Sequence, residues 1–164
     1  MHTSNYNILL AEDDPEEVFL MQRAFQKAGS KVPLRVVRDG QMVLDYLARS
    51  GEFSDARDSP ISVLLLDLKM PRKNGFEVLR WVRQQSEFRQ LIVIVFSSSG
   101  ELADINQAYD LGANSYLVKP TGFEALINLV KTIEVYWLNL NQSADLRIEE
   151  PSVVPVPQDQ PTAA

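Results

Sequence analysis

The chain has 164 residues, 16 Lys and Arg against 22 Asp and Glu, a net charge of −6, no Cys, and a single His at position 2. That length fits one domain with a core of its own and a short extension; the lack of Cys excludes disulfides and thiol chemistry, and a lone His at the extreme N-terminus excludes His-based metal sites and Ser-His triads. The acidic balance argues against nucleic acid, which needs a basic patch. No apolar run approaches the roughly 18 residues of a membrane span, and Met1 to Asn7 lacks the layout of a signal peptide, so no membrane association and a cytoplasmic location are expected.

The first predicted strand is Tyr6 to Glu12, a nearly continuous apolar run suited to a strand covered on both faces. Asp14 then offers an N-cap, Pro15 a first helical position and Glu16 and Glu17 a favourable charge at the positive helix end. Val18, Phe19, Met21, Ala24, Phe25 and Ala28 recur near helical spacing, and Gly29 stops the helix. The pattern then repeats. Leu34 to Val37 reads as a strand, and Met42, Val43, Tyr46 and Leu47 as a helix closed by Gly51. A polar loop, Glu52 to Pro60, precedes the strand Ile61 to Asp67 and a helix carrying Phe76, Val78, Leu79, Trp81 and Val82. Leu91 to Phe96 is the fourth strand, Leu102 to Leu111 a helix stopped at Gly112, Ser115 to Val118 the fifth strand, and Thr121 to Leu140 a long last helix.

Five strand–helix units predict an α/β fold: a doubly wound, five-stranded parallel sheet with helices on both faces. The domain is expected over residues 1–142. In residues 143–164 the composition turns Pro-rich, which predicts a disordered tail.

In open α/β sheets ligands bind outside the carboxyl ends of the strands. Strand one ends in Glu12 and Asp13, strand three in Asp67. In the flavodoxin-like order 2-1-3-4-5 these strands are neighbours, so three carboxylates converge in one crevice. Like charges so close need neutralising, and a hard cation such as Mg²⁺ does so with one or two carboxylates, waters and a phosphate oxygen. Asp14, by contrast, suits plain cap chemistry. Strand four ends in Ser97 to Ser99, and strand five is followed by Lys119 and Pro120. Singly, each is as well read as a loop hydroxyl or a solvated charge. Together, acids, hydroxyl and ammonium at four strand ends suit a phosphoryl group held on a carboxylate beside Mg²⁺.

On these residues the chain resembles the response-regulator receiver domains of bacterial two-component signalling. The resemblance lies in Ile8 to Asp13, Leu64 to Pro71, Gly75, Ser97 and Tyr116 to Pro120, and it covers about residues 5 to 140. The segment Asp67 to Gly75, the loop from Gly51 to Pro60 and the sequence Tyr136-Trp137-Leu138 resemble the single-domain subgroup that partners phytochromes. The resemblance implies that Asp67 accepts a phosphoryl group from a histidine kinase, with a bacterial phytochrome as candidate. It implies that Asp13, Asp67 and the Lys69 carbonyl ligate Mg²⁺ and that Glu12 holds a metal-bound water. Ser97 is then the switch hydroxyl, Lys119 the phosphoryl's counter-ion and Tyr116 the aromatic that turns with Ser97. It also favours a cis peptide bond between Lys119 and Pro120. Two positions depart from the commoner pattern: Glu12 stands where Asp is usual, and Ser97 where Thr is usual.

Other functions fit less well. A metal-dependent phosphatase of the haloacid-dehalogenase type needs a second Asp two residues after the nucleophile, and Lys69 stands there. An adaptor indifferent to phosphate has no need of Asp67 and Lys119. No Walker A or G-x-G-x-x-G pattern supports nucleotide binding, and no second domain suggests direct DNA binding. A phospho-acceptor signalling protein, not an enzyme, is therefore expected. In the last helix Leu126, Ile127, Val130, Ile133 and Trp137 make one core stripe. Phe123, Leu129, Val135, Tyr136 and Leu138 are surplus, which predicts a homodimer through the last strand and helix with Tyr136 and Leu138 at its interface.

Overall fold

The computed structural model describes residues 6–55 and 59–142. The expected tail, 143–164, lies outside the described residues. Five parallel strands, β1 (Ile8–Ala11), β2 (Leu34–Val37), β3 (Val63–Leu66), β4 (Ile92–Ser97) and β5 (Ser115–Val118), form one sheet in the order β2-β1-β3-β4-β5. The expected topology is therefore observed. Register aligns Ala11 with Leu66, Leu66 with Val95, and Ser97 with Val118, so the strand ends that carry the site lie nearly level.

The helices are α1 (Pro15–Lys27), α2 (Gly40–Ala48), α3 (Gly75–Gln84), α4 (Leu102–Asp110) and α5 (Phe123–Ile133). Alternate strand residues feed two cores. Ile8, Leu10, Leu65 and Ile94 pack with Met21 and Phe25 of α1 and with Ile127 and Val130 of α5. Leu9, Leu64, Leu66 and Val93 pack on the opposite face with Val43 and Leu47 of α2 and with Val78 and Leu79 of α3. Burial on both faces is why β1, β3 and β4 up to Phe96 are apolar rather than alternating. β5 is an edge strand and is only partly covered.

Helix starts follow the expected chemistry. Asp14 accepts a hydrogen bond from the Glu16 N–H at 2.8 Å, with Pro15 at the first helical position. Asn74 and Glu77 form a reciprocal capping box that fixes the start of α3 just after Asp67. At one end the sequence misleads: α2 stops at Arg49, in the left-handed region at φ 52°, rather than at Gly51, which opens a short 3₁₀ turn, Gly51–Phe53.

The last helix departs from expectation. α5 ends at Ile133 and continues as a π-helical segment, Glu134–Leu140. The wider π-helical turn bonds residues five apart, and Leu138, five residues after Ile133, lies in the core with it. Leu138 is only 3% exposed and packs with Ile133 and Phe25. Its expected place at a dimer interface is thereby corrected: it is a core residue. Val135, Tyr136 and Leu140 remain exposed, while Phe123, Leu129 and Trp137 pack partly against the core. Leu138→Ala is expected to cost about 2–5 kcal/mol of folding stability, and Val135→Ala less than about 0.5 kcal/mol, in urea denaturation. A small effect at position 138 would show that this face is not core.

Candidate functional site

The site lies at the carboxyl ends of β1, β3, β4 and β5. Glu12 and Asp13 follow β1, Asp67 follows β3, Ser97 ends β4 and Lys119 follows β5. Glu12 and Asp67 are buried while Asp13 is exposed, and one carboxylate oxygen from each of the three lies within 4.8 Å of the others. Two glycines allow this end of the sheet to close. A Cβ on Gly75 would stand 2.4 Å from the Asp67 carbonyl oxygen, and one on Gly40 would stand 2.0 Å from that of Lys73. Gly75 therefore lets the start of α3 rest against the Asp67 backbone, where its N–H donates to the Leu68 carbonyl at 2.9 Å.

The Lys119 ammonium is the hub. It donates to Glu12 Oε2 at 2.6 Å and to Glu17 Oε2, and it stands 3.5 Å from Asp67 Oδ2. The second oxygen of Glu12 accepts the Asp14 N–H at 3.1 Å, so both of its oxygens are engaged. The Lys119 backbone N–H donates to the Ser97 carbonyl at 2.8 Å, which ties two site residues across the sheet. The peptide bond before Pro120 is trans, and no cis bond occurs among the described residues; the cis expectation is corrected to the ordinary isomer.

Charge crowding shows in the protonation of these groups. Burial raises Glu12 to about 7, against the hydrogen bonds from Lys119 and the Asp14 N–H, and the Asp67 charge adds to the rise. Burial likewise lifts Asp67, opposed by the Lys119 charge and by the N–H groups of Lys69 and Leu68. Burial disfavours the Lys119 ammonium, but Glu12, Glu17 and Asp67 outweigh it and hold the group above its ordinary value.

Ser97 is 1% exposed, and its hydroxyl accepts the Ser99 N–H at 3.2 Å. The Tyr116 hydroxyl donates to the Ser99 carbonyl at 2.8 Å, and the Ser99 hydroxyl to Asp104 of α4 at 2.5 Å. β5, the loop after β4 and α4 are thus joined next to Ser97. Glu12, Asp13, Asp67 and Lys119 come together in one cluster, and Ser97 adjoins it through the bond from its carbonyl to the Lys119 N–H. Lys69 is exposed beside them, with its backbone N–H toward the Asp67 carboxylate. Tyr136 and Leu138 belong to the far part of the last helix. Glu17 joins the site although its sequence position reads only as helix-dipole chemistry. The available signal was its place one turn into α1, immediately beyond the end of β1.

Oxygen donors alone, three of them carboxylates, suit a hard cation such as Mg²⁺ or Mn²⁺. A parallel sheet in the order 2-1-3-4-5, with converging acids and a lysine at its carboxyl end, defines the class of receiver-fold proteins. The sequence matches the response regulator receiver domain over residues 8–131, and the chain belongs to that family. Receiver domains bind Mg²⁺ or Mn²⁺ at an acidic pocket of this kind. Among its relatives, the probable methanogenesis regulatory protein FilR2 of Methanothrix harundinacea is 39% identical over 136 residues, 83% of this chain and 86% of that one. The response regulator Rcp1 of Synechocystis is 31% identical over 80% of this chain and 88% of its own length. The phosphorylated cyanobacterial phytochrome response regulator RcpA superposes with a TM-score of 0.76 at 34% identity, over 84% of this chain and 96% of that one.

The pH dependence follows from Glu12. Its folded value, about 7, lies above its ordinary value of 4.5. Between the two, the folded chain keeps a proton that the unfolded chain has released. The resulting stability is full below 4.5 and is lost as pH rises toward about 7. Metal-free protein is expected to lose melting temperature from about pH 5 to about pH 8 relative to Glu12→Gln, as read by thermal denaturation in chelator. Parallel curves for the two proteins would contradict the raised value.

Proposed function

We propose that the chain is a response-regulator receiver that accepts a phosphoryl group on Asp67 from a histidine kinase of phytochrome type. The observation that carries this reading is the approach of Lys119 Nζ to 3.5 Å from Asp67 Oδ2, within a cluster of carboxylates otherwise short of positive charge. The likeness to RcpA and Rcp1 supports the phytochrome-linked partner.

In this reading an Asp67 carboxylate oxygen forms a bond to phosphorus while the bond from phosphorus to the kinase imidazole nitrogen breaks, and that nitrogen takes up a proton. Little covalent work falls to the protein, so positioning and charge neutralisation dominate. Asp13, Asp67 and the Lys69 carbonyl would hold Mg²⁺, which when bound neutralises charge on the phosphoryl oxygens. Glu12, with both oxygens already engaged, would act through water. Lys119 orients the phosphoryl oxygens and offsets their charge. Ser97 leaves the Ser99 N–H to reach a phosphoryl oxygen, and the Tyr116 bond to Ser99 carries that movement to β5 and α4. The product is a signalling state rather than a released product, so the chain acts as a phospho-acceptor and not as a turnover enzyme. It works in the cytoplasm, without nucleic acid.

A homodimer through the last strand and helix is part of the proposal. Val135 and Tyr136 are about half exposed, and Leu140 is 65% exposed. A groove of about 390 Å³, lined by Leu117, Leu129, Ile133, Tyr136 and Trp137 together with the polar Asn114, Ser115 and Thr132, runs beside them. Exposed apolar surface of this extent suits an interface.

Incubation with acetyl phosphate and Mg²⁺ is expected to add one labile phosphate by intact mass. Asp67→Asn, nearly isosteric, is expected to keep the fold and lose the label; a variant that still labels would place the acceptor elsewhere. For the dimer, Tyr136→Lys is expected to give a folded monomer in sedimentation that still takes phosphate. A monomeric unmodified chain, with and without phosphate, would contradict the pairing.

A further inference from the structure

Lys119 has more anionic partners than orienting a phosphoryl group requires. Its ammonium contacts Glu12 and Glu17 and stands farther from Asp67, at 3.5 Å. The two closer partners differ in what they lose when the ammonium moves. The Glu12 side chain is 4% exposed, so without Lys119 it is a buried charge. The Glu17 side chain is 39% exposed and can turn to water at little cost. Glu17 also repels the Asp67 charge from across the crevice.

We propose that Glu17 is a positioning residue for the phosphoryl transfer: it holds the Lys119 ammonium on the α1 side of the crevice at rest and competes for it with an incoming phosphoryl oxygen. This rests on the reading of Asp67 as acceptor. The geometry gives Glu17 a fixed base from which to compete. It sits in the first turn of α1, where the Asp14 cap and Pro15 fix the backbone. An ammonium has three N–H donors and no acceptor. Glu12 and Glu17 take two of them, which leaves one direction toward Asp67. A phosphoryl group brings several further oxygens, more than that one direction serves. Glu17 is the partner that can leave without stranding a buried charge. Its carboxylate therefore weakens anion binding in the crevice while adding attraction for a cation. A residue with a merely structural role would shift neither affinity, or both in the same sense.

The test uses the full chain with trifluoroberyllate as the phosphoryl mimic, read by calorimetry at fixed Mg²⁺, and a separate titration with Mg²⁺ alone. Glu17→Gln is compared with Glu16→Gln, which removes the same charge from the same helical turn. Glu17→Gln is expected to bind trifluoroberyllate roughly two- to tenfold more tightly and Mg²⁺ alone less tightly, by an amount on the scale of a partly exposed ion pair. Glu16→Gln is expected to change both by less than about twofold. Unchanged or weaker trifluoroberyllate binding by Glu17→Gln, or an equal response from Glu16→Gln, would overturn the role of Glu17 while leaving Asp67 as acceptor. An unmodified chain that takes neither trifluoroberyllate nor a phosphate label would overturn both.

Discussion

One ammonium among four carboxylates is the constraint on which the site depends. Glu12, Glu17 and Asp67 surround Lys119, and Asp13 lies against the first and third of these. Burial makes the arrangement costly, as the raised values of Glu12 and Asp67 show. The fold tolerates this cost because the sheet is held by two cores, one on each face, that lie away from the strand ends. The sheet order is equally necessary. β1 and β3 are adjacent, so Glu12 and Asp67 meet directly, whereas β5 lies beyond β4. Lys119 spans that gap with its long side chain, past a β4 end that carries only the small Ser97.

The parts that stay and the parts free to move are divided by burial. β1, β3 and β4 are buried from end to end. α4 is anchored differently: Ala108 is its one buried residue, and Leu102 at its start is 74% exposed. Polar links substitute for packing there, from Tyr116 to Ser99 and from Ser99 to Asp104. Elements with few buried apolar contacts open at lower free energy than the core. Ser97 is thus linked through Ser99 to the helix with the fewest buried residues.

The chain states its fold openly because strands covered on both faces must be apolar throughout, and runs such as Val63–Leu66 have no other economical reading. Asp13, Asp67 and Ser97 were visible for a related reason, since each stands at the end of such a run, and Lys119 because it closes the fifth strand. Glu17 was harder to see: its place at the start of α1 puts it near the strand end, but its contact with Lys119 depends on how α1 lies over the end of β1. Leu138 was misplaced for a different reason. On a helical wheel at 3.6 residues per turn it lies about 20° from Ile127, at the edge of the core stripe, where counting a single stripe leaves it over; the structure seats it in the core. The Lys119–Pro120 bond had no local signal favouring the cis form.

The most direct test locates the phosphoryl group chemically. Borohydride reduces an acyl phosphate on aspartate to homoserine, and peptide mass then gives its position. After treatment with acetyl phosphate and Mg²⁺, the account places homoserine at position 67 and nowhere else. Homoserine at Asp13, or a stable label that resists borohydride, would contradict it.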